Sequence, residues 1–314
     1  MESLLEVKNL SFSFRTYGGV VKAVRTVSFD VRPGEILGIV GESGCGKSVT
    51  AQCTMRLNPE PPGFFEGGEI LYKGEDILKM NEKELRKIRG TEIGFIFQDP
   101  MTSLNPTMKI GKQIEEVFIK NKEMSHAEKK QKAMEILRLV GISDEERRYN
   151  QYPHELSGGM KQRVMIAIAL VGRPSIVIAD EPTTSLDVTI EAQILDLLKE
   201  LQKTTGTSII MITHDLGVIA KLCDRVLVMY GGKVVEKGLV NEIFYGTAHP
   251  YTKGLMQSIA KLDTKKGEKL HPIEGTPPET YDLAEEHMTC CWLQHEFAPD
   301  NDLRRPDAKK REVE

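Results

Sequence analysis

Gly41-Glu42-Ser43-Gly44-Cys45-Gly46-Lys47-Ser48 decides the fold of this chain. Directly before it stands Ile36-Leu37-Gly38-Ile39-Val40, a short unbroken apolar run of the kind found in a parallel strand covered on both faces. Residues 48–57 follow with the pattern of a helix. Strand, glycine-rich loop and helix together form the context that a phosphate-binding loop requires. Glycines let backbone N–H groups turn inward and approach phosphate oxygens without side-chain clash. The helix that follows aims its positive N-terminal end at the same anion. In such a loop Lys47 reaches the β- and γ-phosphates of a nucleotide, and Ser48 ligates Mg²⁺.

Further along the chain, Ile176-Val177-Ile178-Ala179-Asp180-Glu181 places two carboxylates at the end of another apolar strand. Ligands of open α/β sheets bind at the carboxyl ends of strands. Asp180 is there to hold Mg²⁺, directly or through water. Glu181, one residue on, points elsewhere and is the candidate to orient or deprotonate an attacking water. Taken alone, such an acidic pair is equally the start of a turn before Pro182.

Those two motifs define a nucleotide hydrolase but not its branch. Leu156-Ser157-Gly158-Gly159-Met160 opens a long helix, with Lys161-Gln162-Arg163 in its first turns. Ser157 is a good N-cap, and the glycines leave amides free. Gln98 follows an apolar strand at 93–97, and His214 follows another at 209–213. Each of these, on its own, is no more than a capped helix or a polar strand terminus.

The ordered set of residues 41–48, Gln98, residues 156–160, Asp180 and Glu181, Ser185-Leu186-Asp187 and His214 resembles the nucleotide-binding domain of ABC transporters, over roughly residues 5–240. The resemblance implies an α/β fold: a RecA-like phosphate-loop core with an N-terminal antiparallel β subdomain and an inserted helical subdomain at about 109–172. It implies that Gly41, Glu42, Ser43, Gly44, Cys45, Gly46, Lys47, Ser48 and Val49 bind ATP together with Gln98, and that Glu181, His214 and Lys47 are catalytic. Ser48, Gln98 and Asp180 are the implied Mg²⁺ positions. Leu156, Ser157, Gly158, Gly159 and Met160 become the signature loop, which acts on ATP held by a second subunit, and Ser185, Leu186 and Asp187 become the D-loop. Most ABC proteins carry Gln where Met160 stands, but the phosphate-contacting positions are Ser157, Gly158 and Gly159. An aromatic residue stacks on adenine in this family, for which Phe14 is the first choice and Tyr17 the alternative.

Phe97-Gln98-Asp99-Pro100-Met101-Thr102-Ser103-Leu104-Asn105-Pro106 is similar to the same region of oligopeptide and dipeptide importers. So are Tyr152-Pro153-His154-Glu155-Leu156, Thr213-His214-Asp215-Leu216-Gly217-Val218 and His249-Pro250-Tyr251-Thr252. Met101-Thr102 resembles the D-type ATPase, the first of the two such importers carry. The implied partners are a second, homologous ATP-binding subunit of F type, two transmembrane permease subunits and, through them, an extracytoplasmic solute-binding protein. The implied place is the cytoplasmic face of the membrane. Cargo in this family also includes nickel and other small solutes, and the ATPase never touches it.

Residues 1–245 are expected to form the nucleotide-binding domain and 246–314 a partly irregular extension. Relatives often carry spaced cysteines in that extension, which in some members hold an iron–sulfur cluster. Here Cys290 and Cys291 are adjacent and lack spaced partners, so no cluster is expected. His287, Cys291 and His295 fall on one face if that segment is helical, a conceivable metal site, although a polar tail with two chance thiols is the plainer reading.

The bulk properties agree. Apolar residues make up 40% and charged residues 28% of the 314, as in soluble globular proteins. A net charge of -4 gives no footprint for nucleic acid. No apolar run is long enough to span a bilayer, and the first residues lack the basic and apolar regions of a signal peptide. Five cysteines at irregular positions make no disulfide framework. A phosphate-loop GTPase would want Asn-Lys-x-Asp, and Asn121-Lys122-Glu123-Met124 fails at its last position. A soluble ABC ATPase of translation or repair would carry two cassettes or a long coiled coil, and neither is present.

Overall fold

The computed structural model describes residues 3–118, 124–184 and 186–257. The alternating segments near the N-terminus form an antiparallel sheet of four strands, β1 (Leu5–Thr16), β2 (Gly19–Val31), β4 (Gly63–Tyr72) and β5 (Glu75–Asp76), in the order β2-β1-β4-β5. The unbroken apolar runs form the second sheet, β3 (Ile36–Val40), β6 (Ile93–Ile96), β7 (Ile176–Asp180), β8 (Ser208–Ile212), β9 (Arg225–Tyr230) and β10 (Lys233–Leu239). Its order is β10-β9-β3-β8-β7-β6, all parallel except β10, which turns back on β9.

Every residue of β3, β7 and β8 is buried. Successive residues of a strand point to opposite faces, and here they enter two different cores. Ile36, Val40, Val177, Ala179, Ile209 and Met211 pack on the helical side. Leu37, Ile39, Ile176, Ile178, Ile210 and Ile212 pack on the side of the antiparallel sheet. With both faces covered, no polar alternation survives, so these strands read as solid apolar runs.

The helices are α1 (Lys47–Cys53), α2 (Glu82–Ile88), α3 (Pro100–Ser103), α4 (Ile110–Glu115), α5 (His126–Leu139), α6 (Glu145–Tyr149), α7 (Gly158–Leu170), α8 (Val188–Thr205), α9 (Leu216–Leu222), α10 (Val240–Tyr245) and α11 (Pro250–Gln257). Helices α3 to α7 are inserted between the adjacent strands β6 and β7 and bury Ile110, Ile114, Ala133, Leu137, Tyr149 and Val164 against one another. Ser125 and Glu128 close a capping box at the start of α5. Asp187 and Asp215 cap α8 and α9, each accepting a backbone N–H of the first turn.

Two local expectations change. The prolines and glycines from Pro59 to Gly68 give that stretch the composition of a connection, yet β4 begins at Gly63. A Cβ on Gly68 would lie 2.6 Å from the Cα of Leu10, so this glycine marks the close approach of two strands and not a break. Helix α1 ends at Cys53, short of Leu57, because Arg56 takes a left-handed φ of 48° and the chain turns. The Asn58 amide then donates to the Val49 carbonyl at 3.1 Å and ties the turn back to the helix.

Among the described residues no helix is long and apolar enough to cross a membrane. Cys290, Cys291, His287 and His295, and with them the conceivable metal site, lie outside the described residues, as does Ser185.

Candidate nucleotide site

The loop between β3 and α1 is hemmed in on one side and open on the other. A Cβ on Gly41 would meet the Met229 carbonyl oxygen at 2.2 Å, and one on Gly46 the Ala23 carbonyl oxygen at 2.3 Å. Gly44 has φ 80°, and an added Cβ there would meet nothing within 4 Å. The closed side is built from β2 and β9, and the open side is where an anion can approach bare backbone. Lys47 is only 5% exposed. Its Nζ folds across the loop and donates to the Gly41 carbonyl at 2.8 Å and the Glu42 carbonyl at 2.9 Å.

Ser48 Oγ donates to Asp180 Oδ1 at 2.9 Å, which brings the hydroxyl after β3 and the carboxylate ending β7 together. Burial pushes the Asp180 carboxyl up, with the Ser48 hydrogen bond pulling against it. A bound cation would relieve that burial. Hard oxygen donors converging in this way suit Mg²⁺.

Glu181 does not follow Asp180 in direction. It sits at a left-handed φ of 46°, its N–H donating to the Ile212 carbonyl at 2.9 Å. A non-glycine residue pays about 1–2 kcal/mol for that conformation. The twist swings the Glu181 carboxylate toward the ends of the neighbouring strands. There Oε2 accepts Gln98 Nε2 and Thr184 Oγ1, both at 2.9 Å, and Oε1 stands 3.5 Å from His214 Nδ1. Gln98 comes after β6, Glu181 after β7 and His214 after β8, so three adjacent parallel strands deliver one polar cluster. The Gln98 amide has its nitrogen engaged on Glu181.

Residues 156–160 are not drawn into that cluster. Leu156 is buried, Ser157 and Gly158 are exposed, and Ser157 Oγ accepts the Met160 N–H at 3.4 Å as the cap of α7. Gly159 packs on Ile190 of α8. The Gln162 side chain donates to the Pro182 carbonyl, tying α7 to the turn after Glu181. Leu186 packs partly against the core and Asp187 caps α8. Phe14 is half-buried, edge-on to Phe12 with ring centroids 5.1 Å apart, and pairs across the sheet with Val21, two residues from the Ala23 that backs the loop. Tyr17 stands fully in solvent at the turn between β1 and β2. Neither belongs to the hydrogen-bonded cluster.

Two participants were not singled out from the sequence. Thr184 holds Glu181 from within the same turn, and only its offset of three residues signals it. Tyr251 reaches the loop from α11, its hydroxyl accepting the Glu42 N–H at 2.9 Å. Its sequence neighbourhood, His249-Pro250-Tyr251, carried only a family likeness.

Residues 24–184 match the profile of the ABC transporter family, and residues 235–294 match the oligopeptide/dipeptide transporter C-terminal region. The chain is 60% identical over 276 residues to the oligopeptide transport ATP-binding protein OppD of Bacillus subtilis, covering 88% of this chain and 77% of that one. It is 54% identical to the dipeptide transport ATP-binding protein DppD of the same organism, covering 90% and 84%. Among solved structures it resembles a dimeric ATP-binding cassette bound to ADP and Pi, with a TM-score of 0.67 and 30% identity, covering 75% of this chain and 98% of that one. With a phosphate loop, a buried acidic strand end and these matches, the chain belongs to the ABC transporter family, as an ATP-hydrolysing subunit of the kind that carries the oligopeptide/dipeptide transporter C-terminal region.

Proposed function

We propose that the chain energises import of peptides, from the cytoplasmic face of the membrane, with the residues above in the following roles. ATP lies along the loop 41–49, its β- and γ-phosphates against Lys47 and the first amides of α1. Mg²⁺, held by Ser48, Asp180 and the Gln98 oxygen, would neutralise charge on the phosphates. Glu181 accepts a proton from, or orients, the attacking water, and His214 beside it meets the γ-phosphate. Phe14 takes adenine, with Tyr17 as its alternative. The observation that carries the reading is the convergence of Gln98, Glu181 and His214 next to the Ser48–Asp180 pair.

The chain holds one copy of each motif, so it works as half of a sandwich. The other half is a second ATP-binding subunit of F type, whose ATP meets residues 156–160 and 185–187 of this chain. The helices inserted between β6 and β7, reached through Gln98, face two permease subunits, which receive peptide from an extracytoplasmic binding protein. Peptide as cargo rests on the names of the relatives and on the matched C-terminal region. The experiment is uptake of a labelled oligopeptide by cells lacking this chain: wild type restores it and Glu181→Gln does not. Restoration of nickel uptake without peptide uptake would overturn the cargo.

Lys47→Ala is expected to weaken ATP binding about 10- to 100-fold, since hydrogen bonds to a charged group contribute roughly 1.5–3 kcal/mol. Titration with a fluorescent ATP analogue measures it. Unchanged affinity would mean that the loop is misassigned.

A further inference from the structure

The segment His249-Pro250-Tyr251 has no part in the mechanism described so far, yet it is built into the nucleotide site. Glu236 on β10 accepts the Ala248 N–H at 2.7 Å and the His249 N–H at 3.1 Å, which holds the chain as it enters α11. His249 Nδ1 then accepts the Tyr251 N–H at 3.1 Å. Burial pushes the His249 imidazole below its usual range, so it stays a neutral acceptor. Thus oriented, the Tyr251 ring is 6% exposed and lies against Tyr230, with centroids 4.4 Å apart. Its hydroxyl accepts the Glu42 N–H at 2.9 Å.

That N–H belongs to the peptide unit joining Gly41 to Glu42. The carbonyl of the same unit, Gly41 O, accepts Lys47 Nζ at 2.8 Å. One rigid plane is therefore gripped at both ends, by Tyr251 at its N–H and by Lys47 at its C=O. The Met229 carbonyl closes off the Gly41 Cα, but a peptide plane flanked by glycine can still rotate unless a partner fixes it. If it rotated, Lys47 would lose one of its two carbonyl acceptors and with it a defined position.

We propose that Tyr251 is a positioning residue for Lys47, acting through the Gly41–Glu42 peptide, so that the C-terminal segment completes the phosphate loop. The proposal rests on the reading that Lys47 binds the ATP phosphates. A second contact agrees with it. Leu255, one turn along α11, lines a cavity together with Gly41, Glu42, Ser43, His214 and Leu216. Burial pushes the Tyr251 phenol up, so it remains a neutral hydroxyl through the neutral range and its grip does not titrate there.

The test is a double-mutant cycle on the full chain, read as the Kd of a ribose-labelled fluorescent ATP analogue. Tyr251→Phe removes the hydroxyl and keeps the ring on Tyr230. It is expected to raise Kd about three- to tenfold, the range of one net hydrogen bond. In the Lys47→Ala background the same change is expected to have almost no further effect, because the group being positioned is gone. Melting temperature without nucleotide is followed in all four proteins. Wild-type affinity in Tyr251→Phe, alongside weakened Lys47→Ala, would overturn the proposal and leave the phosphate loop standing. Losses that multiply in the double variant would overturn it too, since they would show Tyr251 acting on general stability. Unchanged affinity in Lys47→Ala would overturn both readings at once.

Discussion

Glu181→Gln is expected to lower ATP turnover by about 10²- to 10⁴-fold, the usual weight of a positioned general base, while leaving ATP bound. The two effects separate because of where Glu181 sits. The proposed binding groups, Lys47, Ser48 and the loop amides, lie after β3, with Ser48 bonded to Asp180 and Lys47 to the Gly41 carbonyl, whereas Glu181 is turned away by its left-handed φ of 46°. Glutamine keeps the length and shape of the side chain, and its oxygen can still accept Gln98 Nε2 or Thr184 Oγ1. What disappears is the negative charge and the free lone pairs that could take a proton from water. On the proposed function, the pair of subunits should then close on ATP and stay closed, with the step that would reopen it removed. Measuring phosphate release together with the mass of the ATP-bound complex checks both halves. Near-wild-type hydrolysis would remove Glu181 from its role. Loss of ATP binding would show instead that the left-handed turn, not the chemistry, had been damaged.

The same turn shows what the sequence conceals. The strands β3, β7 and β8 are legible to within a residue at their ends because both their faces are buried, leaving solid apolar runs. The insertion is legible where apolar residues recur at three- and four-residue spacing, as at Ala133, Ile136, Leu137 and Val140, all of them buried. The backbone twist at Glu181 leaves no trace in composition; glutamate is not a residue that signals left-handed geometry. Strand β4 is missed for the opposite reason. Its glycines signal a break by local preference, and the close approach to Leu10 that makes them necessary is a tertiary fact. Tyr251 lies some 200 positions from Glu42, 209 by residue number, and no local pattern carries a bond of that span. Gln98 and His214 read by themselves as polar strand termini and took their roles from the family resemblance; that they meet follows from the shared edge on which the strands of a parallel sheet end.

Ser157→Arg should leave ATP binding by this chain intact and eliminate hydrolysis at the phosphate loop of its partner. Ser157 and Gly158 are exposed at the start of α7, a helix of 13 residues whose first amides have no partner within the helix. Such a terminus is suited to an anion. Within the chain, however, the cluster around Ser48, Asp180, Glu181 and His214 is assembled without residues 156–160. This agrees with the proposed sandwich, in which the anion they meet is brought by another subunit. Arginine fills the space in front of the free amides, so the partner's γ-phosphate can no longer reach them. Removing a single preorganised donor of this kind costs about 10²- to 10³-fold in rate, and blocking several should cost at least that. One side effect has to be controlled. Ser157 Oγ caps α7 through the Met160 N–H, and losing a cap costs about 1 kcal/mol. Ser157→Ala loses that cap without adding bulk, so it should lower the melting temperature about as much as Ser157→Arg does and impair the partner's hydrolysis less. The assay uses a mixed complex with one phosphate loop disabled at a time, which assigns each turnover to one site. If Ser157→Arg abolishes ATP binding by the chain on its own, or if hydrolysis is lost at this chain's loop and kept at the partner's, the two sites are not shared across a sandwich.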